Sequence, residues 1–363
     1  MTLIDPRVTR MAEVLVDHCT KIQKGELVFI HHSWDSRPLL YEVYRLALLR
    51  GAREVVLKSD FYERELLEIF LKNTTSEQRA TMPSVYEYAV HHADVYMMLS
   101  APANTRYAAN IDPDSMNEFM QTLRPITTHR VENTRWVVAQ FPSNALAMDA
   151  EMSLSDYEDF LFRAVNDVDW AAKAVEQEKL KEIFAQAKTV RIVGTDTDLT
   201  LSVEGRPPAS AAGQVNMPDG EVFNSVVEDS AQGHIRFSFP AIYAGKEFTD
   251  VALEFVDGLV VKATASKNEE GLNKILDMDA GARRLGEIGL GNNYAIKQFT
   301  KNILFDEKIG GTIHLALGKS YAENEGKNDS ALHWDIIKDL REGGEIYFDD
   351  KLVQKNGEWL IEL

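Results

Sequence analysis

A chain of 363 residues is long enough for two domains of roughly 100 to 200 residues each. Hydrophobic residues make up 45 % and charged residues 26 %, a globular composition that excludes a fibrous or intrinsically disordered protein. The 57 acidic against 39 basic side chains leave a formal charge of -18, a field that repels nucleic-acid phosphates and anionic lipid head groups. Neither nucleic acid nor a membrane is an expected partner. The one cysteine, Cys19, forms no intramolecular disulfide, residues 1–10 lack the apolar run of a secretion signal, and no apolar stretch nears the roughly 20 residues that cross a bilayer. A reducing, cytoplasmic compartment is the expectation.

Up to about residue 188, helical periodicity alternates with short apolar runs, the pattern of βαβ units around a parallel sheet. Val8, Met11, Val14 and Leu15 recur at spacings of three and four and predict a helix that Gly25 ends. Leu27–Ile30 follows as a buried strand and Pro38–Leu49 as a helix stopped by Gly51, with further strands at Val55–Leu57, Val95–Leu99 and Trp136–Ala139. Ser153–Lys188 reads as predominantly helical, its apolar spacing carried by Phe160, Val165, Trp170, Ala174 and Leu180. Beyond it the signals become short, closely spaced strands, with Asp257-Gly258 and Asn356-Gly357 turns that predict antiparallel hairpins. Clear helix remains only around Glu269–Met278. The expected fold is an α/β N-terminal domain with a parallel sheet, residues 1–188, followed by an α+β C-terminal domain rich in antiparallel sheet, residues 189–363.

Common catalytic motifs are absent. Gly318-Lys319-Ser320 ends like a phosphate-cradling loop, but the glycine such a loop needs at 313 is Ile313. No G-x-S-x-G nucleophile elbow occurs, and no histidine is followed by glutamate as in a zinc-protease helix. Gly286, Gly289 and Gly291 lack the order and the acidic partner of a dinucleotide fingerprint.

Four segments of the second half concentrate ligands for hard or borderline cations. In Asn216–Phe223, Pro218 and Gly220 force a turn that delivers Glu221 to the start of an apolar strand; alone, it reads as a solvated carboxylate. Glu287 lies among apolar residues and glycines, where a carboxylate needs a metal or an arginine partner, with Arg283 and Arg284 close in sequence. In Gly311–Gly318, His314 shares a strand face with Thr312 and Ala316, and a single such histidine also suits a hydrogen-bonded core. His333 and Asp335, two apart, aim an imidazole and a carboxylate at one face of a strand. Together these offer three carboxylates and two imidazoles, a mixed set suited to Zn²⁺, Co²⁺ or Mn²⁺ in a two-metal site.

These segments, with Phe305–Tyr321 and Leu332–Ile336, resemble the aminopeptidase T and aminopeptidase S family of dinuclear metallopeptidases, most densely from Thr195 to Ile337. The resemblance implies two divalent metal ions (Zn, Co, Mn or Mg) held by Glu221, Glu287, His314, Tyr321, His333 and Asp335. It also implies peptide substrates, a homodimer and an active site in the C-terminal domain, partly enclosed by N-terminal domains. Two cations sharing a water would deliver a hydroxide to a peptide carbonyl, with the free α-amine confining cleavage to the first residue. Tyr321 is then a metal ligand or an oxyanion donor, or plain core. Glu307 orients a ligand, shuttles a proton or is an exposed turn charge, and Lys308, Arg283 and Arg284 balance charge or form ordinary salt bridges. The pairs His31-His32 and His91-His92, read as strand neighbours pointing to opposite faces, are structural. Two readings compete: another two-metal hydrolase such as a phosphoesterase, and a non-enzymatic α/β binding module whose acids and histidines are structural.

Overall fold

The computed structural model describes residues 5–59, 64–108 and 110–363. Two compact units emerge: Met1–Val168 with Gly213–Pro218, and Asp169–Ala212 with Asp219–Leu363. This division differs from one boundary at 188, because the segment 153–188 is two helices, Leu154–Asn166 and Trp170–Phe184, with the units parting between them. Asp169 caps the second helix by accepting from the amides of Ala171 and Ala172 at 3.1 and 3.0 Å.

The first unit is built on a parallel sheet in the order Glu54–Ser59, Leu27–His32, Val95–Ser100, Arg135–Gln140 and Asn216–Met217. The four strands read from the sequence lie within the first four of these. Leu27–His32 is buried along its whole length, as a continuous apolar run covered on both faces requires. Helix Arg37–Leu49 joins two of the strands, and Phe119, Leu123 and Ile126 of helix Pro113–Asn133 pack with Leu27, Phe29 and Tyr96. His31 and His32 are core residues, with Nδ1 of His31 2.9 Å from Tyr96 Oη and Nδ1 of His32 donating to the Ser33 carbonyl at 3.0 Å. His91 and His92 do not belong to a strand. They end helix Ser84–His91 and donate to the Glu87 and Tyr88 carbonyls at 2.8 Å, satisfying last-turn acceptors.

The second unit contains two large antiparallel sheets and a two-stranded one, Ala241–Tyr243 with Lys246–Phe248. The larger has eight strands in the order Leu259–Thr264, Ala252–Val256, Gln232–Arg236, Thr197–Ser202, Thr189–Gly194, Glu345–Phe348, Lys351–Lys355 and Glu358–Trp359. Both predicted hairpin turns are present, with φ of 49° and 76° at Asp257-Gly258 and 50° and 76° at Asn356-Gly357. The predicted helix runs Glu269–Leu276.

The smaller sheet comprises β1 (Ala209–Ala211), β2 (Glu221–Ser225), β3 (Leu285–Gly291), β4 (Thr312–Gly318) and β5 (His333–Asp339), in the spatial order β5-β4-β3-β2-β1. Val222, Ile288, Leu290, Ile313, Leu315, Leu317, Trp334 and Ile336 enter one apolar core together with Val190, Ile192, Leu199, Leu201, Leu253 and Phe255 of the larger sheet. Side chains alternate along a strand, so the intervening Glu221, Glu287, His314, His333 and Asp335 leave from the other face. No helix among the described residues is long and apolar enough to cross a membrane.

Candidate metal centre

The register of the smaller sheet brings the polar side chains into adjacent rows. Glu287 on β3, Ala316 on β4 and Asp335 on β5 lie opposite one another, and Gly289 faces His314 across the β3–β4 ladder. Small residues between the functional ones leave room above the sheet. Both β3 and β4 are buried at every position, whereas on β5 the side chains of His333 and Asp335 stay 26 % and 13 % exposed, so the polar face is closed over β3 and β4 and open beside β5.

Glu287 occupies the middle of the cluster. Its Oε1 is 3.3 Å from His314 Nε2 and its Oε2 is 3.5 Å from His333 Nε2. His314 Nε2 is also 3.6 Å from Glu221 Oε2, and His333 Nε2 is 3.5 Å from Asp335 Oδ2. Tyr321 Oη lies 3.2 Å from His333 Nε2. Two triads of ligand atoms, Glu287–His333–Asp335 and Glu307–His314–Asp335, each fall within 4.8 Å of mutual separation.

Backbone carbonyls orient both imidazoles. His314 Nδ1 faces the Glu307 carbonyl at 3.2 Å and His333 Nδ1 faces the Lys319 carbonyl at 2.8 Å. A carbonyl only accepts, which assigns the hydrogen to Nδ1 and turns each Nε2 inward as a lone-pair donor in the neutral ring. Metal-binding histidines are commonly held this way.

Lys308 has no exposed side-chain surface; its Nζ contacts Glu307 Oε1 and lies 3.2 Å from Glu221 Oε1. Burial disfavours its charge, but Glu221, Glu307 and Asp219 outweigh that effect and hold it protonated. Burial pushes the Glu221 carboxyl up to about 8 against the pull of Lys308. Burial and the Glu287 charge raise Asp335 to about 6. For His314 burial acts downward, yet the hydrogen bond to Glu287 and the surrounding carboxylates raise it to about 10. Burial, then the charges of Glu287 and Asp335, also raise the Tyr321 hydroxyl, keeping it a neutral donor.

The six residues that the family resemblance implies as ligands all lie on or beside this face. Glu307 joins them with a side chain only 16 % exposed, rather than standing in a solvated turn. Arg283 and Arg284 engage elsewhere, with Arg283 on Asp277 at 2.7 Å and Arg284 on the Glu228 carbonyl at 2.6 Å. Sequence reasoning underweighted Lys308, because Asp306-Glu307-Lys308 has the look of an exposed charged turn. Gly289, weighed in the sequence only as part of a dinucleotide fingerprint, lies opposite His314, a pairing that emerges only with the strand register.

The donor set fits divalent cations. Glu221 Oε2 and Asp335 Oδ1 are buried without a hydrogen-bond partner, a costly state for a carboxylate that a cation relieves. Glu221, Glu287, Glu307 and Asp335 face one buried lysine, so with neutral imidazoles the ionised cluster has an excess of negative charge. Nitrogen and oxygen donors in this mixture suit zinc, cobalt or manganese.

Comparison with known proteins agrees with this chemistry. The family of thermophilic metalloproteases (M29) matches residues 4–359. Aminopeptidase 2 of Geobacillus stearothermophilus is 25 % identical over an alignment of 414 residues that spans 99 % of each chain. Aminopeptidase T of Thermus aquaticus is 33 % identical over 167 residues, 39 % of this chain and 40 % of that one. The structure of AmpT from Thermus thermophilus superposes with a TM-score of 0.83 at 21 % identity, covering 98 % of this chain and 99 % of that one, and so shares the fold.

Proposed function

Because the chain belongs to the M29 family of thermophilic metalloproteases, we propose that it releases the N-terminal residue of peptides at a centre of two divalent ions held by Glu221, Glu287, His314, His333 and Asp335, with Tyr321 beside them. The observation that carries this reading is the meeting of three carboxylates and two inward-turned imidazoles on one buried sheet face, with Glu221 Oε2 and Asp335 Oδ1 unpartnered. The aminopeptidase names of the relatives support the choice of the N-terminal bond. When bound, the ions supply a water of lowered pKa and polarise the scissile carbonyl.

The chain's own groups do the rest. Glu287 spans the two halves of the centre, its oxygens directed one to each imidazole. The Glu307 and Lys319 carbonyls fix the histidine rings, so little reorganisation is needed when the ligands engage. Glu307, anchored through Oε1 by Lys308, keeps Oε2 to take a proton from the attacking water and return it to the leaving amine. Tyr321 Oη donates a hydrogen bond to the oxygen that gains charge at the reacting carbonyl. Lys308 offsets part of the carboxylate charge, and one divalent ion still leaves the ionised acids in excess, which favours a second. The charge of -18 attracts a cationic α-amine. The buried Cys19 supports a reducing cytoplasm as the working compartment, and the family resemblance supports a homodimer, which light scattering measures.

Metal analysis coupled to a peptide-library assay tests the function. Chelation is expected to abolish release of N-terminal amino acids, and Zn²⁺ or Co²⁺ to restore it. A protein that takes up no metal and gains no peptidase activity on metal addition would overturn the proposal.

A further inference from the structure

A cavity of about 180 Å³ lies beside the candidate metal centre, and two of the residues that line it, His333 and Asp335, belong to that centre. Ile242 and Tyr243 of the two-stranded hairpin border it, as do Phe299 and Ile303 from the segment that leads to Glu307. The aromatic walls are fixed by their own packing. Phe299 stacks on Phe239 with ring centroids 4.8 Å apart, and the Tyr243 ring lies 5.4 Å from that of Trp334 on β5. Ile242 and Ile303 instead leave 39 % and 45 % of their surface exposed. A single exposed apolar side chain is ordinary, but two on the border of one cavity hold apolar surface in water that an apolar guest would cover.

Two charged residues border the same space, and both are turned to other partners. Asp306 accepts from the Thr300 amide and hydroxyl at 2.7 and 2.9 Å and from the Asn302 amide at 2.7 Å, so its carboxylate ties its own loop together. Lys301 reaches with its ammonium to 3.4 Å from Glu247, which does not line the cavity, leaving its aliphatic stem as the part that borders it. What remains for a guest is an apolar space. Roughly 150 Å³ is enough for an apolar cavity to hold benzene, so one large apolar side chain fits here.

We propose that this cavity receives the side chain of the substrate's first residue, and that Ile242 and Ile303 set a preference for a large apolar one such as leucine or phenylalanine. That side chain leaves the carbon bonded to both the α-amine and the scissile carbonyl, the two groups that the centre must hold. Of all the substrate's side chains it therefore starts nearest His333 and Asp335. This inference rests on the aminopeptidase reading and adds a substrate class, peptides that begin with a large apolar residue.

The test compares the metal-loaded parent with an Ile242→Ala, Ile303→Ala double variant in two measurements. The first is the ratio of kcat/KM for Leu-Ala-Ala to that for Ala-Ala-Ala. It is expected to be at least about tenfold in the parent, the discrimination that added methylenes bring in an apolar pocket, and to shrink by about fivefold in the variant. The second needs no catalysis: calorimetric binding of leucine hydroxamate and alanine hydroxamate, expected to favour leucine by about tenfold in the parent and by less in the variant. Equal hydroxamate affinities in the parent, or a leucine preference that the double variant keeps in full, overturn the side-chain cavity, and the peptidase reading stands wherever peptides are still cleaved. A variant that changes the ratio of Ala-Leu-Ala to Ala-Ala-Ala instead would put the cavity beyond the scissile bond and overturn it as well. Hydroxamate selectivity in a protein that cleaves no peptide supports the cavity and sinks the aminopeptidase reading.

Discussion

Gly289 and His314 face each other across two antiparallel strands, and the imidazole lies where a side chain on Gly289 would stand. A Cβ built there would be 1.9 Å from His314 Cε1 and 2.1 Å from Nε2, closer than atoms can approach. The missing side chain is therefore part of the centre. Gly289→Ala is expected to displace the ring and weaken metal affinity by at least about 100-fold, the upper range for a group that orients a ligand. Isothermal titration with Zn²⁺ measures it; affinity equal to the parent's would show that the ring is free to shift.

Lys308 makes a different prediction, about stability. Lys308→Met leaves Glu221 and Glu307 buried without their cation, and removing one partner of a buried pair costs about 3–5 kcal/mol. Bound divalent ions would offset much of this, so the loss should be large without metal and smaller with it. Urea unfolding in both states checks the difference. Equal losses would mean that Lys308 and the ions do not share the same carboxylates.

The pH dependence of the metal-free protein follows from two raised groups. The Glu221 carboxyl, ordinarily at 4.5, stands near 8, chiefly through burial, so its ionisation costs stability progressively from about pH 4.5 to 8. His314, where burial is outweighed by Glu287 and the nearby carboxylates, rises from 6.5 to about 10; its stabilisation is complete below 6.5 and lost as pH rises through 10. Both bind more protons folded than unfolded, so both predict falling metal-free stability across this range. Ions must displace the same protons, so metal affinity should climb as pH rises. Denaturation of the metal-free protein at pH 5, 7 and 9 decides the first point, and a stability that rises with pH contradicts it.

Glu307→Gln separates proton transfer from metal binding. The amide keeps the shape but gives up proton-accepting power, so kcat should fall by about 100-fold or more while metal content stays near that of the parent. Unchanged kcat would remove Glu307 from the chemistry and leave it as a partner of Lys308.

Much of the fold was legible because apolar runs and turn residues act locally. Leu27–Ile30 and Val95–Leu99 have the unbroken hydrophobicity of covered parallel strands, and Asp257-Gly258 has the conformational preference of a tight hairpin. The pair His333 and Asp335 was legible for the same reason, since a spacing of two on a strand fixes a common face. The division of the units was not. Gly213–Pro218 returns to the first unit through a strand of two residues, Asn216–Met217, too short to show any periodicity. The burial of Lys308 was hidden as well, because it depends on which strands become neighbours across long stretches of chain.

In the proposed centre Glu287 joins two ion sites by giving one oxygen to each histidine side. Counting bound metal ions per chain in the dialysed parent and in Glu287→Ala, with kcat/KM for a leucyl peptide on the same samples, tests it most directly. Two ions are expected in the parent, with both ion content and activity lost in the variant. A variant that retains two ions and cleaves at the parent's rate would contradict it.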